Sequence, residues 1–130
     1  MNLLFDTSVL IEFDRGNHEV IKRIQELTAA HQTPAQITFI NYAEFIEGIQ
    51  RRSAAHKSYS LDFLNRFGIL TTSRKTAEIL AGLKEDSRKL KTGLVLADLI
   101  IASHAVEHGM LLVTRDKDFT KIPNLQYALV

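Results

Sequence analysis

Cysteine is absent from all 130 residues. Its absence excludes disulfides, thiolate zinc sites and cysteine nucleophiles, and agrees with a reducing compartment. No apolar run is long enough to span a membrane, and Asp6 interrupts the first apolar stretch too early for a signal peptide. The expectation is a cytoplasmic protein with no membrane partner. A glycine-rich phosphate loop, a GxSxG elbow and a locally signalled Ser–His pair are all lacking. Internal repeats, low-complexity tracts and linkers are missing too. The five histidines form no HExxH or comparable cluster. His104 and His108 stand four apart, but they read as surface residues on the polar side of a helix. Net charge is small, +1.

What is present is an ordinary globular composition, 45% hydrophobic and 24% charged, in a length that suits one domain over residues 1–130. The basic residues are unevenly spread. Arg51, Arg52, Lys57, Arg66, Arg74 and Lys75 face the single acid Asp62, and Arg88, Lys89 and Lys91 form a second cluster. Either cluster alone is most simply a solvated helix face. Beside an acidic site they would suit a polyanion.

Short apolar runs alternate with amphipathic segments. Asn2-Leu3-Leu4-Phe5 reads as a buried strand, followed by a short helix capped by Thr7 or Ser8 and broken at Arg15-Gly16-Asn17. His18 to Ala30 is amphipathic through Val20, Ile24 and Leu27. Gln36 to Ile40 reads as a second strand, Asn41 to Arg52 and His56 to Phe67 as helices, and Ile69 to Thr71 as a short strand. Ser73 to Leu90 reads as a helix. A further helix runs to about His108 and stops at Gly109. Met110 to Thr114 reads as a buried strand, and Gln126 to Leu129 as an edge strand. This order predicts an α/β fold with a short, mainly parallel sheet flanked by helices. Ligands of such sheets collect outside the carboxyl ends of the strands.

Asp98 is the most informative single residue. It interrupts Leu94-Val95-Leu96-Ala97 and Leu99-Ile100-Ile101-Ala102. Its neighbours at helical spacing, Leu94, Val95, Ile101 and Ala102, are all apolar. A carboxylate there needs a partner, either a buried arginine or a cation. Three more acids have bland explanations when taken singly. Asp6 could cap a helix. Glu44 fits a capping box starting at Asn41, which would place it in the first turn of its helix. Asp116 and Asp118 could be turn residues. Together, however, Asp6, Glu44, Asp98 and Asp116 can reach one strand edge, where they would repel without a cation. Hard oxygen donors suit Mg²⁺ or Mn²⁺, which keep waters for substrate phosphates. Thr7, Ser8 and Thr114 can hold the carboxylates and waters in place.

The same residues resemble a known family. Phe5-Asp6-Thr7-Ser8-Val9-Leu10 resembles the opening motif of PIN-domain ribonucleases. Glu44-Phe45-Ile46-Glu47-Gly48 resembles their second motif, Gly93 to His104 with Ala97-Asp98 the third, and Leu112 to Phe119 the fourth. The four motifs keep their order along essentially the whole chain. A free-standing domain of this size is most similar to VapC-type toxins of bacterial toxin–antitoxin pairs.

The resemblance implies a PIN-like nuclease domain over residues 1–130. Its activity would be that of a Mg²⁺- or Mn²⁺-dependent endoribonuclease cutting structured RNA, such as a tRNA or ribosomal RNA loop, by in-line hydrolysis to 5′-phosphate and 3′-hydroxyl ends. It further implies a homodimer and a cognate VapB-type antitoxin that neutralises it in a heteromeric complex. Asp6, Glu44, Asp98 and Asp116 carry over as catalytic metal ligands. Many relatives have asparagine at the fourth position and an acid three residues on. Here Asp116 is followed by Asp118, which either binds water near the ion or caps the turn. Arg115 and Lys117 are candidate RNA phosphate contacts. The alternatives are a catalytically silent PIN domain that binds RNA or acts as a scaffold, and a receiver-type signalling domain.

Overall fold

The computed structural model describes residues 2–31 and 34–130. Five strands form one sheet in the order β3-β2-β1-β4-β5, and all four pairings are parallel. The strands are β1 (Leu3–Phe5), β2 (Gln36–Ile37), β3 (Gly68–Ile69), β4 (Leu111–Thr114) and β5 (Tyr127–Leu129). Among the described residues six helices connect them: α1 (Thr7–Asp14), α2 (His18–His31), α3 (Phe39–Gly48), α4 (Ala54–Leu64), α5 (Arg74–Leu90) and α6 (Leu96–His108). A 3₁₀ turn spans Lys117–Lys121 before β5. The expected α/β class with a parallel sheet is the observed one.

Strand periodicity explains the layers. Leu3 and Phe5 point to one face, where Val9, Leu10, Val20, Ile24, Phe45 and Phe63 from α1 to α4 bury them. Leu4, between them, points to the other face and meets Leu83 of α5 with Leu99, Ile101, Ala102 and Ala105 of α6. In β4, Val113 and Leu112 divide the same way. β1 lies at the centre of the sheet, so Asp6 emerges next to the end of β4, with Phe5 paired to Val113.

Several boundaries differ from those expected. Phe39 and Ile40 belong to α3 rather than β2, because the Thr38 side chain ends the strand and caps the helix. Thr38 Oγ1 accepts from the Asn41 amide, and Asn41 Oδ1 accepts from the Thr38 amide at 2.9 Å. Asn41 is therefore the third residue of the capping box and not its cap. Glu44 consequently sits in the second turn of α3, not the first. At α1 the cap position is Asp6, not Thr7 or Ser8, and its carboxylate makes no capping bond. Leu94 and Val95 precede α6, which starts at Leu96. Asp98 thus lies in the first turn, where the helix dipole favours negative charge.

The basic clusters are less free than their sequence suggests. Arg52 Nη1 lies 2.9 Å from Asp14 Oδ2, and the Asp14 side chain is only 2% exposed. Ser60 donates to the same oxygen at 2.9 Å. Arg52 ties the end of α1 to the turn before α4, and Ser60 ties it to α4 itself, so Arg52 is not available as a surface charge. Arg88 and Lys89 both engage Glu85 one turn earlier on α5.

Candidate functional site

The loop after β1 and the loop after β4 deliver their acids side by side. Asp6 is 6% exposed, and its Oδ2 accepts from Thr114 Oγ1 at 2.8 Å and Ser8 Oγ at 3.1 Å. Burial pushes this carboxyl above its ordinary value; the bonds from Thr114 and Ser8 pull it back, and the charge of Glu44 adds to the rise. Thr114 Oγ1 also accepts from the Asp116 amide at 3.0 Å. One buried hydroxyl thereby links the positions of Asp6 and Asp116.

Glu44 reaches the group from α3. Thr7 Oγ1 donates to Glu44 Oε1 at 2.6 Å, and Asn41 Nδ2 donates to Thr7 Oγ1 at 3.1 Å. Asn41 is fully buried, so the box that starts α3 also holds Thr7, which in turn orients Glu44. Asn41 was expected to cap α3 itself, not to hold Thr7. The available signal was a polar side chain three residues after Thr38.

Asp98 projects from the first turn of α6. Among the described residues no hydrogen bond or cation reaches its carboxylate, so the alternative of a buried arginine partner does not hold. Burial, followed by the charges of Asp6, Asp116, Glu44 and Asp118, raises its pKa from 3.8 to about 6. Asp6, Asp116, Glu44 and Asp118 thus all lie close enough to act on the Asp98 carboxylate. Asp116 caps the 3₁₀ turn, accepting from the Asp118 amide at 2.9 Å. Asp118 is exposed and pairs with Lys121 at 3.2 Å. Arg115 and Lys117 flank Asp116 and are exposed.

This group of acids lies on the carboxyl side of the parallel sheet, and each acid comes from one of the four motifs. A family model for the PIN domain matches residues 3–125. The chain belongs to the PIN-domain family. Among the relatives of this PIN domain, Ribonuclease VapC2 of Rickettsia felis is 32% identical over 96% of this chain and 95% of its own length. Among solved structures, a VapBC2 crystal structure from Rickettsia felis, bound to a promoter DNA fragment, contains a chain with a TM-score of 0.87. The two are 26% identical, and the match covers 100% of this chain and 99% of that one. A toxin–antitoxin complex from Klebsiella pneumoniae contains a chain 30% identical to this one, with a TM-score of 0.71, over 94% of this chain and 93% of that one. These likenesses place the PIN domain with the VapC-type toxins. Among the described residues no helix is long and apolar enough to cross a membrane.

A second group of donors was not expected. His104 is fully buried rather than on the surface, and Thr72 Oγ1 lies 3.2 Å from its Nε2. Donor atoms of His104, Glu107 and His108 all fall within 4.8 Å of one another, close enough to share a divalent ion. Among the described residues no other three histidine or acid side chains are so tightly drawn. The sequence signal was the spacing His104-x-x-Glu107-His108, which puts three donors on one helix face.

Proposed function

We propose that this PIN domain is an endoribonuclease dependent on Mg²⁺ or Mn²⁺, with Asp6, Glu44, Asp98 and Asp116 as the ligands of its catalytic ions. The observation that carries the proposal is Asp98: a half-buried carboxylate whose proton affinity is raised first by burial and then by four other acids, with no cation among the described residues to offset them. The donor set fits the ions. All donors are hard oxygens, and Mg²⁺ needs only one or two carboxylates while keeping several waters. When bound, the ion would activate water and neutralise charge on a phosphodiester.

The chain's own residues would do the positioning. Thr114 and Ser8 fix Asp6 with one oxygen engaged, leaving the other free of those two bonds. Asn41 and Thr7 hold Glu44. The start of α6 stabilises the ionised form of Asp98 through its dipole. Asp118, turned to Lys121, supports the Asp116 turn and contributes negative charge. Arg115 and Lys117, on the rim, would meet RNA phosphates. Substrates would be structured RNAs such as a tRNA or ribosomal RNA loop, in keeping with the ribonuclease relatives.

By the same analogy the protein would act as a toxin, form a homodimer and be neutralised by a cognate VapB-type antitoxin. An arginine from that partner could pair with the acids and compete with the ion. The test is cleavage of a structured RNA by purified, antitoxin-free protein. Mg²⁺ or Mn²⁺ should support cleavage, EDTA should stop it, and Asp6→Asn should abolish it in a folded protein. Cleavage by Asp6→Asn at the wild-type rate would refute the assignment.

A further inference from the structure

We propose that His104, Glu107 and His108 form a second metal site, selective for a transition ion of the Zn²⁺ class and distinct from the acidic group around Asp98. The three residues occupy successive positions on one face of α6, at the opposite end from Asp98. Six residues separate Asp98 from His104 and ten separate it from His108, about 9 and 15 Å along a helix axis. The donor chemistry also differs. Two imidazoles and one carboxylate suit Zn²⁺, Ni²⁺ or Cu²⁺, whereas all-oxygen donors suit Mg²⁺ and Mn²⁺. Three protein ligands with one position open to water is a common zinc arrangement.

The histidines are prepared for an ion. Nδ1 of His104 is buried with no hydrogen-bond partner among the described residues, and Nε2 meets only the Thr72 hydroxyl. Neither nitrogen is committed to a carboxylate or a backbone carbonyl. Glu107 is fixed in turn by Ser73 Oγ, which donates to Oε2 at 3.3 Å, and by the Thr76 hydroxyl on Oε1. These hydroxyls are the outer contacts that orient a metal-binding carboxylate. His108 Nε2 lies 3.6 Å from Glu107 Oε1, and the His108 side chain is 38% exposed, so the site opens to solvent on that side. A cation at this end of α6 also complements the carbonyl end of the helix dipole. Because Thr72, Ser73 and Thr76 belong to the start of α5 and the loop before it, a bound ion would lock α5 to α6.

The test is a titration of metal-stripped, full-length, antitoxin-free protein with Co²⁺, followed by displacement with Zn²⁺. The visible absorption of nitrogen-ligated, tetrahedral Co²⁺ should appear at one ion per chain. Zn²⁺ should quench it and Mg²⁺ should not. Asp98→Asn should keep the signal. His108→Ala, at an exposed position that leaves the core intact, should weaken Zn²⁺ binding by no less than the roughly 10–100-fold typical of lost outer contacts. Glu107→Gln should weaken it as well. Absence of the signal in the wild type, its persistence unchanged in His108→Ala, or its loss in Asp98→Asn would each overturn the proposal.

Discussion

Replacing Asp98 with asparagine in cation-free buffer should stabilise the fold at neutral pH. The wild-type carboxyl has a folded pKa of about 6 against an ordinary 3.8. The folded state therefore binds this proton more tightly than the unfolded chain does. Below about pH 4 both states are protonated and no penalty exists. Between about pH 4 and 6 the unfolded chain ionises first, and stability falls as pH rises; above about 6 the full penalty remains. A rise of this size corresponds to roughly 3 kcal/mol. Because the group is only half-buried, solvent screening reduces that to on the order of 1–2 kcal/mol. Asparagine removes the charge and with it the penalty, so the melting temperature at pH 8 in EDTA should rise by about 3–8 °C. Toward pH 4 the gap between the two proteins should shrink to a small fraction of its value at pH 8. Saturating Mg²⁺ should reverse the order, since an ion bound 100-fold above its Kd adds about 2.7 kcal/mol to the wild type alone. Thermal melts across pH 4–8, with and without Mg²⁺, read all three effects. A variant less stable than wild type at pH 8 in EDTA, or a difference independent of pH, would refute the reasoning.

Other expectations are simpler to state. Arg52→Ala leaves the Asp14 carboxylate buried without its cation and should cost about 3–5 kcal/mol by urea denaturation; an effect below about 1 kcal/mol would mean the pair is solvated. Arg51 and Lys117 are exposed near Glu44 and Asp116, so each neutralising substitution should lower the log–log salt slope of RNA binding by roughly 0.7–0.9. Equal changes from Arg88→Ala, already paired with Glu85, would point to a different docking surface.

The alternation of short apolar runs and amphipathic segments was enough to read the α/β class and the parallel sheet, because strand and helix periods are local properties. Asp6 and Asp116 follow strands and Asp98 breaks an apolar stretch, so these three stood out as candidates from local pattern; Glu44, which alone reads as a capping residue, drew its weight from the other acids and from the resemblance to PIN-domain motifs. What escaped depended on tertiary pairing. Phe39 and Ile40 have strand-forming side chains, but the Thr38–Asn41 box turns them into a helix. Arg52 finds its partner 38 residues away in Asp14. His104 looked exposed because the hydroxyl that meets its ring, on Thr72, lies 32 residues away in sequence, just before α5.

The most direct measurement is anomalous diffraction from crystals of the protein soaked in Mn²⁺. The account predicts density among Asp6, Glu44, Asp98 and Asp116, with the carboxylates drawn inward, and its loss in Asp98→Asn. Mn²⁺ bound only at His104, Glu107 and His108, or absent from the acids at saturating concentration, would contradict it.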